Sequence, residues 1–114
     1  MEDIIFNFYN WSEFKSFLDN LPSKDAAKLV STIQNVEKYG VEIAKRQEWI
    51  KKLEKNLYEI RSKRSSNIQR SIYFKIEGNT CIITHGFTKK SQKTPRKEIT
   101  KAKNRRSFYI KKYR

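Results

Sequence analysis

The chain has 114 residues, 33% of them charged, and its formal net charge is +14. This length fits one domain with one core, and the 13% aromatic content excludes a purely disordered basic tail. Only three glycines and two prolines are present, which excludes a flexible linker or a low-complexity tract. We therefore predict a single domain over residues 1–114.

The positive charge is concentrated in the second part of the sequence. Residues 1–40 carry four bases against six acids, whereas residues 41–114 carry 22 bases against six acids. Such a concentration is typical of proteins that bind a phosphate-rich partner, and a solvated basic surface is the alternative. An anionic membrane is disfavoured, because the bases are not confined to one amphipathic helix and no segment is long enough to span a bilayer.

The rarest side chains limit the chemistry. Cys81 is the one cysteine and His85 the one histidine, so an internal disulfide and a Cys/His zinc site are both excluded. We expect Cys81 to be a small buried residue. The N-terminal stretch MEDIIFNFYN carries acids where a signal peptide needs bases. We therefore expect a cytoplasmic protein without metal or cofactor.

The first forty residues indicate one strand and two helices. Ile4–Tyr9 is a short β-rich run. Apolar residues at helical spacing follow from Phe14, and Pro22 closes that helix. Ser23 is a predicted N-cap for a second helix, which Gly40 would end.

The rest of the chain changes to a two-residue period. Residues 41–56 fit either a third helical stretch or a loop. Three strands are then predicted at 57–63, 68–77 and 81–88, with connections short enough to pair them antiparallel. Thr94-Pro95 resembles an N-cap followed by proline at the first helical position, so a final helix is expected. One side of that helix should carry Ile99, Ala102, Tyr109 and Tyr113. The predicted fold is α+β in the order β-α-α-β-β-β-α, a small antiparallel sheet packed with N-terminal helices and a C-terminal helix.

Charged residues interrupt the apolar rows of these strands. Arg70 and His85 each share strand parity with apolar neighbours, and Arg61 lies on the preceding strand. Taken alone, Arg70 fits a structural role, with a carboxylate partner or by snorkelling, as well as a functional one. His85 alone fits a hydrogen-bonded filler role better than a catalytic one. If the strands are neighbours, however, these residues and the lysines after His85 approach one face of the sheet.

Such a face suits a metal-free ribonuclease. RNA is cleaved when its own 2′-hydroxyl attacks the adjacent phosphate, which requires proton transfer and stabilisation of a dianionic transition state. Arginine and lysine supply the charge, and histidine serves as acid or base. Tyr58, Tyr73 or Tyr109 could stack on bases or donate a proton, or belong to the core.

One long stretch resembles a known family. LYEIRSKRSSNIQRSIYFKIEGNTCIITHGFTKKSQKTPRKEI resembles the core of the RelE/ParE toxin superfamily, in particular its phage-derived, HigB-like branch. Three spaced motifs (a "LYELR" strand, an "R-x-x-Y-F" strand and "LHGFxKKxxKTPxxEI") occur in the family's order. The resemblance implies a RelE-like fold and the toxin of a type II toxin–antitoxin pair. It further implies an mRNA endonuclease that acts with the ribosome and is held inactive by its antitoxin.

The resemblance also implies site residues and partners. The predicted catalytic residues are Arg61, Arg70, His85, Lys89 and Lys90. The predicted RNA-binding residues are Lys63, Arg64, Lys93 and Arg96. The implied partners are mRNA, the ribosome and a HigA-like antitoxin with a helix-turn-helix and an acidic contact segment. DNA would be bound only indirectly, through the complex with the antitoxin. The general acid and base stay open, with Tyr109 and Tyr113 as further candidates.

Two other functions fit the same sequence. A gyrase-inhibiting ParE-like toxin shares the fold but does not need His85, Lys89 and Lys90. A non-enzymatic RNA- or DNA-binding protein explains the charge equally well, and its binding would depend steeply on salt without strand scission.

Overall fold

A computed structural model describes residues 4–113 as a mixed α+β fold. Its elements in chain order are β1 (Ile5–Phe8), α1 (Trp11–Asp19), α2 (Ser23–Arg46), β2 (Ile50–Glu54), β3 (Leu57–Arg64), β4 (Asn67–Glu77), β5 (Thr80–Lys89) and α3 (Arg96–Tyr113). The predicted α+β class, the helices at both ends and the three central strands are confirmed.

The five strands form one sheet in the order β1-β5-β4-β3-β2. Strands β2 to β5 pair antiparallel, as expected for strands joined by short turns, whereas β1 runs parallel to β5. Ser65 and Gly78 take positive φ angles of 59° and 54° in the two tight turns. Because β4 lies at the centre of the sheet, its side chains are the most deeply enclosed.

Each face of the sheet has its own core. On one face α1 and α2 cover a cluster that includes Phe6, Phe14, Leu29, Val36 and Ile83. On the other face α3 covers Leu57, Ile72, Phe74, Ile82, Phe87, Ile99 and Ala102. Cys81 is buried in the first cluster, as predicted. Burial of these side chains is the main favourable contribution to folding.

The region that the sequence left ambiguous contains the largest corrections. The helical segment Ser23–Arg46 is interrupted at Gly40, as predicted, because its φ of 85° and ψ of 174° are not helical. A further helical stretch follows the kink and ends at Arg46. Strand β2 then follows, so the chain has one strand more than predicted. Its sequence IKKLE has weak alternation, and its register comes from pairing with β3. Positive φ angles at Glu48 and Asn56 reverse the chain near its two ends.

Two predicted helix caps are also corrected. Ser23 is the first residue of α2 rather than its N-cap. Pro22 occupies the N-cap position, and its side chain makes no capping hydrogen bond. Helix α3 begins at Arg96, one residue later than expected, and the Thr94 hydroxyl bonds to Glu59 rather than to the helix. Tyr113 contacts Tyr109 on α3, with ring centroids 4.6 Å apart, but is 62% exposed.

Gly86 allows α1 to approach the sheet closely. A Cβ atom at this position would lie 2.5 Å from the ring of Phe17 and 3.0 Å from that of Phe14. The glycine between His85 and Phe87 is therefore needed for packing against α1.

Candidate functional site

Arg61 and Arg70 lie opposite each other on neighbouring strands of the face that α3 covers. Strand β3 carries Arg61, β4 carries Arg70, and the two are paired in register. Phe87 on β5 is the next residue in the same row. The two arginines therefore share one face of the sheet, as expected, since directly opposite residues point to the same side.

Arg70 is fully buried, at 0% exposure. Its guanidinium donates to the carbonyl oxygens of Ser91 and Gln92, the latter at 3.3 Å, and lies 3.5 Å from Thr94 Oγ1. Its Nε has no hydrogen-bond partner among the described residues. Burial lowers the pKa of Arg70, and the nearby Glu59 carboxylate opposes this shift.

Glu59 is the carboxylate that both arginines share, and it is likewise fully buried. Its Oε1 accepts from Arg61 Nε and lies 3.7 Å from Arg70 Nη1. Its Oε2 accepts from the Thr94 hydroxyl at 2.7 Å. Two guanidinium groups thus surround one carboxylate, which leaves an excess of one positive charge.

The segment between β5 and α3 covers this charged group. Residues 90–93 are exposed, yet the backbone carbonyls of Ser91 and Gln92 accept hydrogen bonds from the arginines. Arg61 donates to the Gln92 carbonyl at 2.5 Å and approaches its Oε1 at 3.4 Å. The carbonyl dipoles partly offset the excess charge of the arginine pair.

A cleft of about 620 Å³ lies beside Arg61. It lies where β3 extends beyond Ile60, the residue that pairs with the first residue of β2. It is lined by Lys28, Thr32, Gln47, Glu48, Trp49, Ile50, Lys51, Arg61, Ser62, Lys63, Ile68 and Gln92. Four of these side chains are basic and one is acidic. Lys28 also donates to the Lys63 carbonyl on the free edge of β3. Arg61 and Gln92 form the wall that separates this cleft from Arg70.

His85 lies in a different part of the same face. It is 3% exposed, and its Nδ1 and Nε2 lie 2.9 Å from Thr84 Oγ1 and 3.0 Å from Glu98 Oε1. Its ring stacks on Phe87 at a centroid distance of 5.6 Å. Burial lowers the pKa of His85 from its usual 6.5, and this effect exceeds the opposing rise caused by its hydrogen bond to Glu98.

The basic residues predicted on the loop and the turn are spread along the surface. Lys89 is half-buried and pairs in register with Ile68, while Lys90 and Lys93 are exposed. Lys63 lines the cleft. Two others are held by acids: Arg64 pairs with Asp25 at 3.1 Å and Arg96 with Glu54 at 3.0 Å.

The three candidate tyrosines do not join the arginines. Tyr58 and Tyr73 stack on each other at 5.3 Å and pack in the core under α2, on the opposite face of the sheet. Burial raises the pKa of Tyr73. Tyr109 packs edge-on against Phe74 at 5.9 Å.

Sequence reasoning missed four residues of the site: Lys28, Trp49, Glu59 and Gln92. Glu59 had a usable signal, because it shares strand parity with Arg61 two residues later. Lys28 had none, since it belongs to the acidic part of the sequence and reaches the cleft only through the packing of α2 on the sheet.

Neither a metal centre nor a membrane-spanning helix is found within residues 4–113. This part of the chain has no group of three or more His, Cys, Asp or Glu side chains placed to hold a metal ion. None of its helices combines the length and the apolar character needed to cross a bilayer.

The fold and the match to a family define the class of this protein. A five-stranded sheet with helices at both ends is consistent with a RelE-like fold. The family model described as "Phage derived protein Gp49-like (DUF891)" matches residues 16–107. The chain therefore belongs to this phage-derived Gp49-like family, which is a RelE/ParE-like toxin family. No curated protein matches the chain.

Proposed function

We propose that this chain is the toxin of a type II toxin–antitoxin pair, of the HigB-like branch, and that it cleaves mRNA on the ribosome without a metal. The observation that carries the proposal is the arginine pair with a single carboxylate, placed directly behind a basic cleft. The excess positive charge of this pair favours the binding of an RNA phosphate.

The cleft has the chemistry of a single-stranded RNA site. Lys28, Lys51 and Lys63 are placed along it to follow the phosphates, and the half-buried Trp49 offers a ring for a base to stack on. Basic grooves that contain aromatic side chains bind single strands in this way. RNA is preferred to DNA as substrate because the proposed reaction needs a 2′-hydroxyl.

In the proposed reaction, the 2′-oxygen attacks the adjacent phosphorus and the bond from phosphorus to the 5′-oxygen breaks. A base takes the 2′-hydroxyl proton and an acid protonates the leaving 5′-oxygen, which gives a 2′,3′-cyclic phosphate and a 5′-hydroxyl. Arg61 and Arg70 would stabilise the negative charge that develops on the phosphate oxygens. Arg61 is reached from the cleft, whereas Arg70 becomes accessible only when residues 91–92 move.

His85, Lys89 and Lys90 keep a place in the proposal on different grounds. Lys89 and Lys90 stand at the start of the segment that covers the arginines and would approach the same phosphate. The sequence predicts that His85 transfers a proton, whereas the enclosure of its ring between Thr84, Phe87 and Glu98 favours a supporting role.

The proposed partner that restrains the toxin is an antitoxin with an acidic contact segment. The basic side chains of the cleft would attract such a segment, since complementary charge accelerates association and sets the register of an interface. DNA would be contacted by the antitoxin, through its helix-turn-helix, and not by this chain.

The test is cell-free translation with and without the purified protein, followed by primer extension to map new mRNA ends. We expect new mRNA ends that require translating ribosomes and that carry a 2′,3′-cyclic phosphate and a 5′-hydroxyl. Arg61→Gln should reduce this cleavage strongly. The control is Arg106→Gln, an arginine that donates to the carbonyls of Lys55 and Asn56 and lies outside the cleft.

Absence of new mRNA ends at every protein concentration would refute the proposal. A supercoiling assay run on the same preparation distinguishes the gyrase-inhibiting alternative. RNA binding that weakens steeply with salt, without any scission, would identify a binding protein instead.

A further inference from the structure

We infer that Glu59 is a positioning residue that fixes the orientation of Arg61 and Arg70 and ties the segment before α3 to them. The inference rests on the proposed function and goes one step further, because none of the three sequence motifs assigns a role to Glu59. Its carboxylate does not face the cleft and would act only through the two arginines.

The two oxygens of Glu59 have separate partners. Oε1 accepts from Arg61 Nε, which directs the terminal nitrogens of Arg61 toward Gln92 and the cleft. The same oxygen lies 3.7 Å from Arg70 Nη1. Oε2 accepts from Thr94, whose hydroxyl is also 3.5 Å from Arg70. One carboxylate therefore contacts both arginines and the end of the covering segment.

The full burial of Glu59 makes these contacts obligatory. A buried carboxylate without cationic partners is costly, and so is a buried guanidinium without an anion. The side chains of Glu59 and Arg70 are each 0% exposed, so each compensates the charge of the other away from water. Their position on adjacent central strands gives them a rigid support, as a preorganised site requires.

The arrangement also leaves the arginines able to bind an anion. A second carboxylate would neutralise the pair, and none of the described acids other than Glu59 forms an ion pair with Arg61 or Arg70. Glu59 thus orients two positive groups while cancelling the charge of one. A phosphate could then replace the weaker carbonyl contacts from Ser91 and Gln92.

The test compares Glu59→Gln with Glu54→Gln. Glu54 is the matched control, because it ends the neighbouring strand and pairs with Arg96 and Lys103, away from Arg61 and Arg70. In Glu59→Gln we expect mRNA cleavage to fall about 10- to 100-fold with RNA affinity nearly unchanged, as for a misaligned reactive group. Glu59→Asp should restore part of the rate, and Glu54→Gln should leave it unchanged.

A second readout does not depend on cleavage. Amide hydrogen exchange of residues 90–94 should accelerate in Glu59→Gln and stay at the wild-type rate in Glu54→Gln, because Glu59, unlike Glu54, accepts a hydrogen bond from Thr94. If the wild-type protein cleaves no RNA, the proposed function fails and this readout alone decides the role of Glu59. Unchanged exchange, or a Glu59→Gln protein that cleaves at the wild-type rate, would overturn the inference. Should Glu59→Gln not fold, Glu59→Asp is measured by the same two assays. We then expect slower cleavage and faster exchange than in the wild type, and wild-type values in either assay would overturn the inference.

Discussion

The face of the sheet under α3 carries two polar clusters that differ in charge balance and in access. Around Glu59, two arginines share one carboxylate beside an open cleft. Around His85, one imidazole meets one carboxylate, Glu98, beneath a helix. The first cluster has uncompensated positive charge next to solvent, whereas the second is enclosed and has no excess positive charge of its own.

The cluster around Glu59 can therefore bind a ligand, whereas the cluster around His85 stabilises the fold. His85 links β5 to α3 through Glu98, and the nearby Arg105 links α3 to α1 through Glu13 and to the Thr84 carbonyl. These hydrogen bonds join α1, β5 and α3 around the buried His85. The arginine cluster instead holds only a short segment, residues 91–94, over its charge.

The largest effect is expected from Arg70→Ala. The substitution leaves Glu59 buried beside a cavity, and breaking a buried ion pair by removing one partner costs about 3–5 kcal/mol. We expect the free energy of unfolding, measured in urea, to fall by that amount and growth arrest to be lost. The sequence alone predicts loss of growth arrest with the fold preserved, so the urea measurement tests whether burial changes that outcome.

Arg61→Ala serves as the comparison for Arg70→Ala. Its side chain is 15% exposed and reaches the cleft, so the charge left on Glu59 is still partly balanced by Arg70. We expect a smaller loss of stability but an equal loss of mRNA cleavage. Equal stability losses in the two variants would contradict the distinction between a buried and a cleft-lining arginine.

A medium effect is expected from His85→Gln. Glutamine cannot fill both hydrogen-bonding positions of the ring, so stability should fall by about 1 kcal/mol, the typical net contribution of one hydrogen bond. Because the ring is enclosed, we expect cleavage to persist in the folded variant. A loss of cleavage of about 100-fold with little change in stability would instead indicate that His85 moves a proton.

Much of the fold was predictable from local pattern. The strands β3 to β5 have strong alternation and clear turns, and strand parity places Arg61 and Arg70 on one face. His85 joins that face only because a β-bulge shifts the register between β4 and β5, since Cys81 and Ile83, which share its parity, pack on the opposite face. Strand β2 could not be found in this way. Two lysines interrupt its five residues, and the strand exists because β3 offers it a pairing edge.

The accessibility of the site was not predictable from the same pattern. Strand parity states which face a side chain takes, but covering that face depends on contacts between residues far apart in sequence. Arg70 is buried by residues 91–94 and His85 by Glu98 on α3. Lys28 enters the cleft from α2, 35 residues away from its acceptor Lys63. A division into acidic and basic parts of the sequence therefore does not describe the surface.

The smallest effect, and the finest test of the closed cluster, is the dependence of stability on pH. Burial lowers the pKa of His85 below 6.5, and Glu98 offsets this only in part, while Lys101 and Arg105 lower it further. Between the lowered pKa and 6.5 the unfolded chain binds the proton and the folded chain does not. The free energy of unfolding should therefore rise with pH through this window and reach its full value above about 6.5.

The measurement is urea unfolding from about pH 8 down to about pH 5.5, for the wild type and for His85→Gln. The Glu13 pKa is also lowered, chiefly by its bond from Arg105, but its window opens only below 4.5 and lies outside this range. The wild type should lose stability toward the acidic end while His85→Gln stays flat. Parallel curves for the two proteins would show that protonating His85 costs nothing, which a ring enclosed by α3 does not allow.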